Sequence, residues 1–552
     1  MNKMKEEKIT LWFKNHSITL LLSVLFLLIV FINAWLADDA FITFRTIDNF
    51  VNGYGLTWNI TERVQCFTHP LWTFVLSVFY FLTREIYFTS LTVSILISLS
   101  AVSLLILKLS DSNYNSILVI LILVFSQSFI DYSTSGLDNP LTHLLLVVFF
   151  IIYFRYDYSN KKLFLLSFVA SLAALNRLDI ILICIPVLIV SLLHIDKLKG
   201  LLTIIAGFFP LIIWEVFSLL YYGFLFPNTA YAKLNTGIEY FQLVEQGLCY
   251  LLFSVFFDTI TPIVLLVGLT APFFIKNKNL YPISIGIFLY LIYTVNVGGD
   301  FMGGRFLSAS LLCSIIIISK FKIKPTKGLI LQIVSVVVIG LLSPKPTFIS
   351  TSDPSPSYRI LKALKVSTYM TRTYHGIVDE RSFYYIRTGL IRNLTENQIF
   401  KYGSINPIVN VGDSEENVVL ESIIGISGYY LGPKIHVIDL WALSDPLLSK
   451  LYTKRYLPFD DFNPQDTRRW RIGHFEREIP RGYIETIRTG INHIEDPNLH
   501  AYYEKLNILI KGDVWNTNRF KEIWNFNLGK YNYLLENYER NKNSHYDTVT
   551  TK

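Results

Sequence analysis

The chain has 552 residues, of which 52% are apolar and only 16% charged, and its mean hydropathy is +0.41. Soluble domains carry about 25% charged residues, so a chain lying wholly in water is excluded. The net charge of +7 does not indicate nucleic acid, because the basic residues cluster at the ends of apolar runs. The cysteines Cys66, Cys184, Cys249 and Cys313 share no metal-ligand spacing, and three lie inside apolar runs, which argues against a disulfide framework or a zinc site.

Lys3, Lys5, Lys8 and Lys14 precede the first apolar run, Ser17–Leu36, which at about 20 residues is long enough to cross a ~30 Å hydrocarbon core. Ala34-Trp35-Leu36-Ala37 lacks a small-x-small cleavage pattern, so an uncleaved anchor is expected. In the loop that follows, Ala40, Phe44, Ile47 and Val51 recur at helical spacing and predict an amphipathic helix against the membrane surface. Leu71–Leu82 is too short to span and is expected at the interface. Ten further runs, at 87–107, 117–133, 140–154, 163–175, 180–194, 200–222, 248–274, 280–296, 306–319 and 328–343, bring the expected spans to eleven.

Beyond this the chain reads as soluble. Residues 344–357 are a Pro- and Ser-rich linker, and 358–538 a separate domain. Pro407–Asp413 and Ile435–Asp439 read as strands and Asn417–Gly425 as a helix, which predicts βαβ units in a mixed α/β domain. No glycine-rich phosphate loop follows either strand, so nucleotide binding has no support. Trp441, Trp470, Trp515 and Trp524 suit either sugar stacking or an aromatic core. Residues 539–552 are expected to be a disordered tail. The fold class is thus a polytopic α-helical membrane protein, residues 1–343, with a C-terminal extracytoplasmic mixed α/β domain.

Charge orients the spans. With the N-terminus cytoplasmic, the inner segments hold sixteen Lys and Arg and the outer loops before the soluble domain hold six: Arg45, Arg63, Arg84, Arg177, Lys233 and Arg305. That asymmetry obeys the positive-inside rule and places the C-terminal domain outside a cytoplasmic (inner) membrane, on the periplasmic side.

The outer loops carry the chemistry. Asp38 and Asp39 stand together where the first span meets the outer surface. One of them can cap the helix that follows; the second can do acid/base work or help hold a divalent metal, although no further ligand spacing supports a metal, and no cofactor is expected. Asn176-Arg177-Leu178-Asp179 and the glycine-flanked Asp300 and Arg305 can be turn-closing ion pairs. Taken together, Arg45, Arg63, Arg177, Lys233 and Arg305 lie on the side where positive charge is scarce. An anionic ligand at the outer face needs such a set, and arginine donates to phosphate in pairs. A polyprenyl phosphate sugar has its phosphate at that level.

The motifs resemble a known family. Asp38-Asp39-Ala40-Phe41-Ile42-x-Phe44-Arg45, Gly53-x-Gly55-Leu56-x-Trp58-Asn59, Glu62-Arg63-Val64 and Thr68-x-Pro70-Leu71-Trp72 are similar to the terminal β-(1→2) arabinofuranosyltransferases of mycobacteria and to homologous flagellar motor control proteins. Pro227-Asn228-Thr229-x-Tyr231-x-Lys233, Gly298–Arg305, Asp439–Pro446 and Gly473-His474 carry the likeness further. Gln65-Cys66-Phe67 departs from the family's Glu-Gly-Tyr/Phe stretch. The resemblance implies the GT-C fold, with a catalytic acid in the first outer loop and a polyprenyl-phosphate sugar as donor, arabinofuranose among the candidates. On that reading the partners are the donor, a glycan or protein acceptor and the lipid bilayer, and no nucleic acid. Asp39, with Asp38 as rival, activates the acceptor hydroxyl. Arg45, Arg177, Lys233 and Arg305 hold the donor phosphate, Asp179, Asp300 and Asn228 line the substrate, and His69 assists with protons.

Overall fold

The computed structural model describes residues 2–321, 327–343, 346–348, 373–395, 417–453 and 470–550. It is 69% helical, and the strands among the described residues form only two two-stranded sheets. In chain order, α1 (Asn2–Asn33), α2 (Asp38–Val51), α3 (Pro70–Thr83) and α4 (Tyr87–Leu104) lead into a series of apolar helices. These include α5 (Tyr240–Phe257), α6 (Ile260–Ile275) and α7 (Tyr281–Asn296). A hairpin of β1 (Thr373–Tyr374) and β2 (Ile377–Val378) follows, and then β3 (Val418–Glu421), α8 (Gly425–Leu431) and β4 (His436–Asp439). The chain ends in four helices, the last from Asn532 to Thr550, which runs through the segment expected to be a tail.

Among the described residues two stretches, Tyr87–Leu109 and Tyr240–Phe257, are each long and apolar enough to cross a membrane; counting bent pairs as single spans raises the number to five. The eleven expected runs are mostly helical in their described residues, but the first stops at Asn33 and several are broken. The run 248–274 is two helices, not one. Asp258 separates α5 from α6 and is buried, and its carboxylate accepts from the Ser126 hydroxyl at 3.1 Å, the Ser128 N–H at 2.8 Å and the Thr261 hydroxyl at 2.7 Å. A buried carboxylate needs such donors. Meeting them ends α5 at Phe257, a constraint that hydropathy alone does not register.

The chain divides into two compact units that interleave along the sequence. One takes Met1–Ala37, Tyr87–Pro210 and Tyr240–Phe400; the other takes Asp38–Ile86, Leu211–Glu239 and Lys401–Lys552. The sequence division at residue 343 is linear, whereas these packing units are not.

The first unit is a helical bundle whose connections sort by side. Segments read as inner bond to one another: Lys320 pairs with Asp111 at 2.7 Å, Asn115 donates to the carbonyls of Ser319 and Phe321, and Tyr153 donates to the Asn279 carbonyl. Segments read as outer do the same. The Ala37 N–H donates to the Ser135 carbonyl, Asn176 to the Asp138 carbonyl, and Asn139 to the Arg305 carbonyl. The β2 strand joins this outer set through the paired bonds of Val378 with Phe301 and Gly303.

The second unit gathers the first outer loop, the 211–239 segment and the C-terminal residues around one apolar core. Ile42, Trp58, Val64 and Cys66 of the loop share that core with Val419, Val437, Leu447, Leu506 and Leu509. The stripe on α2 forms at the predicted spacing, but it packs against protein and not against lipid: Ala40, Phe44 and Ile47 are fully buried. The expected helix at 417–425 is instead the strand β3 followed by the start of α8. β3 pairs in parallel with β4, Val418 opposite His436 and Val419 opposite Val437. The β-branched pair Val418-Val419 favours the strand, and the seven residues of α8 make a minimal crossover. Pro407–Asp413 lies outside the described residues.

Candidate active site

α2 begins with both aspartates in its first turn, and the fold treats them differently. Asp38 is buried, and its carboxylate accepts from the backbone N–H of Gly425 at 3.1 Å and of Ile426 at 2.8 Å. It therefore caps α8, a helix 387 residues away in sequence, by satisfying two of that helix's free N–H groups. Burial raises its pKa to about 7, against the lowering effect of the Ile426 bond. Only glycine fits at 425, because a Cβ there would collide with the Asp38 backbone oxygen and carboxylate. Asp39 is half-buried. Thr43 lies one helical turn beyond it on the same face, and the Thr43 hydroxyl shares a 2.8 Å hydrogen bond with His69 Nε2. Asp39, Thr43 and His69 thus form a polar strip along one side of α2.

Three expected ligand-binding residues of this unit have structural partners. Arg45 is buried and donates to the carbonyls of Trp58 at 2.9 Å, Ile435 at 2.8 Å and Gly428, with its guanidinium 4.3 Å over the Trp58 ring. Burial lowers its pKa to about 10, so it stays charged at neutral pH. Asn228 donates to the carbonyls of Ala442, Leu443 and Asp445 and accepts from the Ser449 hydroxyl, which fixes the 439–449 loop. Arg63 donates to the carbonyls of Tyr221, Leu509 and Gly512. Arg63 holds together carbonyls at the ends of helices, as Arg477 and Arg519 also do, and Arg45 ties a carbonyl of α8 to carbonyls of two loops. Lys233 lies beside Gly473, and the neighbouring His474 ring is 4.1 Å from that of Trp441.

The Asp439–Pro446 motif turns out to be a self-capped loop. Asp439 accepts from the N–H groups of Trp441 and Ser444, and Asp445 from those of Leu447 and Leu448 and from the Tyr483 hydroxyl. Burial raises both carboxyls to about 7. Glu62, which the sequence reading did not single out as functional, is equally buried and also raised to about 7. Its neighbour His436, 3.9 Å away, is lowered to about 3 by burial and is neutral, so the two do not form an ion pair.

In the first unit, Arg177 forms a two-pronged pair with Asp179, with nitrogen–oxygen distances of 2.8 and 3.1 Å, and Tyr290 donates to the same carboxylate at 3.2 Å. Arg177 also sits 4.2 Å from the Phe306 ring. Arg305 meets Asp300 at 3.3 Å and Asp138 at 3.9 Å. The structure thus brings Arg177, Asp179, Asp300 and Arg305 into one network of loops through Phe306 and Asp138. Asp138 was missed; its only sequence signal is the Gly136-Leu137-Asp138-Asn139-Pro140 turn between two apolar runs. Among the described residues no group of three or more His, Cys, Asp or Glu is placed to hold a metal ion.

The likeness in the motifs extends to the chain at large. A terminal β-(1→2)-arabinofuranosyltransferase of Mycobacterium tuberculosis H37Rv is 28% identical over 423 residues, and one of Corynebacterium glutamicum is 24% identical over 330. The chain resembles the terminal β-(1→2)-arabinofuranosyltransferases. The matches cover 67% and 52% of this chain and span 65% and 48% of the relatives' own lengths. No protein-family model and no solved structure matches.

Proposed function

We propose that this chain is a membrane glycosyltransferase that moves a sugar, with arabinofuranose the first candidate, from a polyprenyl-phosphate donor to a glycan or protein acceptor on the side of the membrane opposite the basic loops. The observation that carries the reading is the division of labour between the paired aspartates. Asp38 is committed to the N–H groups of α8, while Asp39 stays half-buried on the polar strip with Thr43 and His69. The relatives' activity supplies the reaction class.

Asp39 takes the proton of the acceptor hydroxyl as its oxygen attacks the anomeric carbon, and the bond from that carbon to the phosphate oxygen breaks. The electron pair leaves with the polyprenyl phosphate. In the bundle, Arg177 and Arg305 are the outer-loop guanidinium groups paired with carboxylates rather than spent on backbone carbonyls. The sorting of bundle connections by side supports the alternation of spans, with the N-terminus on the basic, cytoplasmic side.

The test is native mass spectrometry of the full chain released from its own membrane, together with transfer assays. An adduct with the mass of a polyprenyl phosphate or its pentose ester, and loss of transfer in Asp39→Asn with unchanged folding, is expected. Normal turnover by Asp39→Asn removes that residue from the mechanism. Bulk phospholipid alone, not displaced by added polyprenyl phosphate, removes the donor assignment.

A further inference from the structure

One cavity lies away from all these residues. It is an apolar groove of about 260 Å³ between α1 and α4, lined by Leu20, Ser23, Val24 and Leu27 on one side and by Leu99 and Ser103 on the other. The Ser23 and Ser103 hydroxyls meet at 3.3 Å within it and tie the helices together. At its end α4 passes into a π-helical turn, Leu105–Leu109, whose Leu107 also lines the groove. Wide turns of this kind often occur at functional sites. The next residue, Lys108, is exposed, and the exposed Arg155 donates to its carbonyl at 3.4 Å. Two exposed cations therefore follow directly on the groove's last lining residue, Leu107.

We propose that this groove holds one acyl chain of an anionic phospholipid from the leaflet on the basic side, with its headgroup at Lys108 and Arg155. The volume suits part of one chain and falls just short of the ~300 Å³ at which pockets for drug-sized ligands begin. Moving a chain from bilayer to groove gains little hydrophobic free energy, since lipid tails are as apolar as leucine. Selectivity must then come from the headgroup, where basic residues near the surface favour anionic lipid. The polyprenyl donor is a poorer occupant, because its phosphate belongs at the opposite membrane face. The inference rests on the membrane reading and not on the transferase reading.

The experiment places the full chain in nanodiscs of equal phosphatidylglycerol and phosphatidylcholine and counts the lipids retained after extraction by native mass spectrometry. Phosphatidylglycerol is expected to be retained at least fivefold over phosphatidylcholine, on the order of one charged contact. K108Q with R155Q brings the ratio to about 1, and Ser103→Phe, which fills the groove, removes the retained lipid while the melting temperature of each variant shows that it folds. Equal retention of the two lipids, or a preference untouched by these variants, overturns the proposal. So does displacement of phosphatidylglycerol by added polyprenyl phosphate, which assigns the groove to the donor tail. Asp39→Asn must retain phosphatidylglycerol like the parent chain, so a failed transferase reading leaves this result standing.

Discussion

Replacing each aspartate in turn separates structure from chemistry. Asp38→Ala orphans two buried N–H groups at the start of α8, those of Gly425 and Ile426. A hydrogen bond to a charged group contributes about 1.5–3 kcal/mol, and an abandoned buried donor costs a similar amount. The partly protonated state of a carboxyl with a pKa near 7 reduces the sum, to about 3 kcal/mol for the pair. At 1.4 kcal/mol per decade, amide exchange by local opening of α8 should speed up roughly 100-fold. Asp38→Asn keeps one acceptor oxygen and should show roughly 10-fold. Asp39→Asn changes a half-buried side chain to its isostere, and its effect on stability should stay within about 0.5 kcal/mol. Hydrogen exchange followed by mass spectrometry on the peptide 422–431 reads all three variants. Unchanged exchange there in Asp38→Ala, with transfer abolished by Asp38→Asn, would refute the capping argument and make Asp38 the acid/base group.

Three other consequences concern the second unit. Arg45→Lys cannot reproduce the fork that reaches Trp58, Gly428 and Ile435, and should cost about 2–4 kcal/mol in chemical denaturation. Asn228→Ala frees the 439–449 loop, so proteolysis within that loop should accelerate while the donor KM of the folded fraction stays constant; a raised KM would restore Asn228 to the substrate. Glu62 has its pKa raised from 4.5 to about 7 by burial. The folded state therefore binds its proton more tightly than the unfolded chain, and the stabilisation present below about pH 4.5 is lost as pH rises through 7. Glu62→Gln should raise the unfolding free energy at pH 8 by about 2–3 kcal/mol and leave it unchanged at pH 4, as read by denaturant titration at the two pH values.

The sequence by itself determined what depends on near neighbours along the chain. Apolar runs and the 3.6-residue stripe on α2 are local patterns, so helical segments were legible from them. β4 was legible too, as a β-branched run before a turn. The tertiary structure decided what depends on distant partners. Nothing near Asp38 in sequence reveals that it faces the N-terminus of α8, and nothing near Arg45 or Arg63 reveals the carbonyls they meet. A charged side chain looks alike in sequence whether it awaits a ligand or satisfies a buried backbone group. Asp258 shows the same limit, since it ends α5 only because Ser126 and Ser128 lie beside it. Val418–Glu421 became a strand because β4 supplied hydrogen bonds that a fourteen-residue gap keeps out of any local window. Periodicity encodes which face of a segment is apolar, whereas the buried polar pairs that fix the site are satisfied only when segments far apart in the chain are brought together.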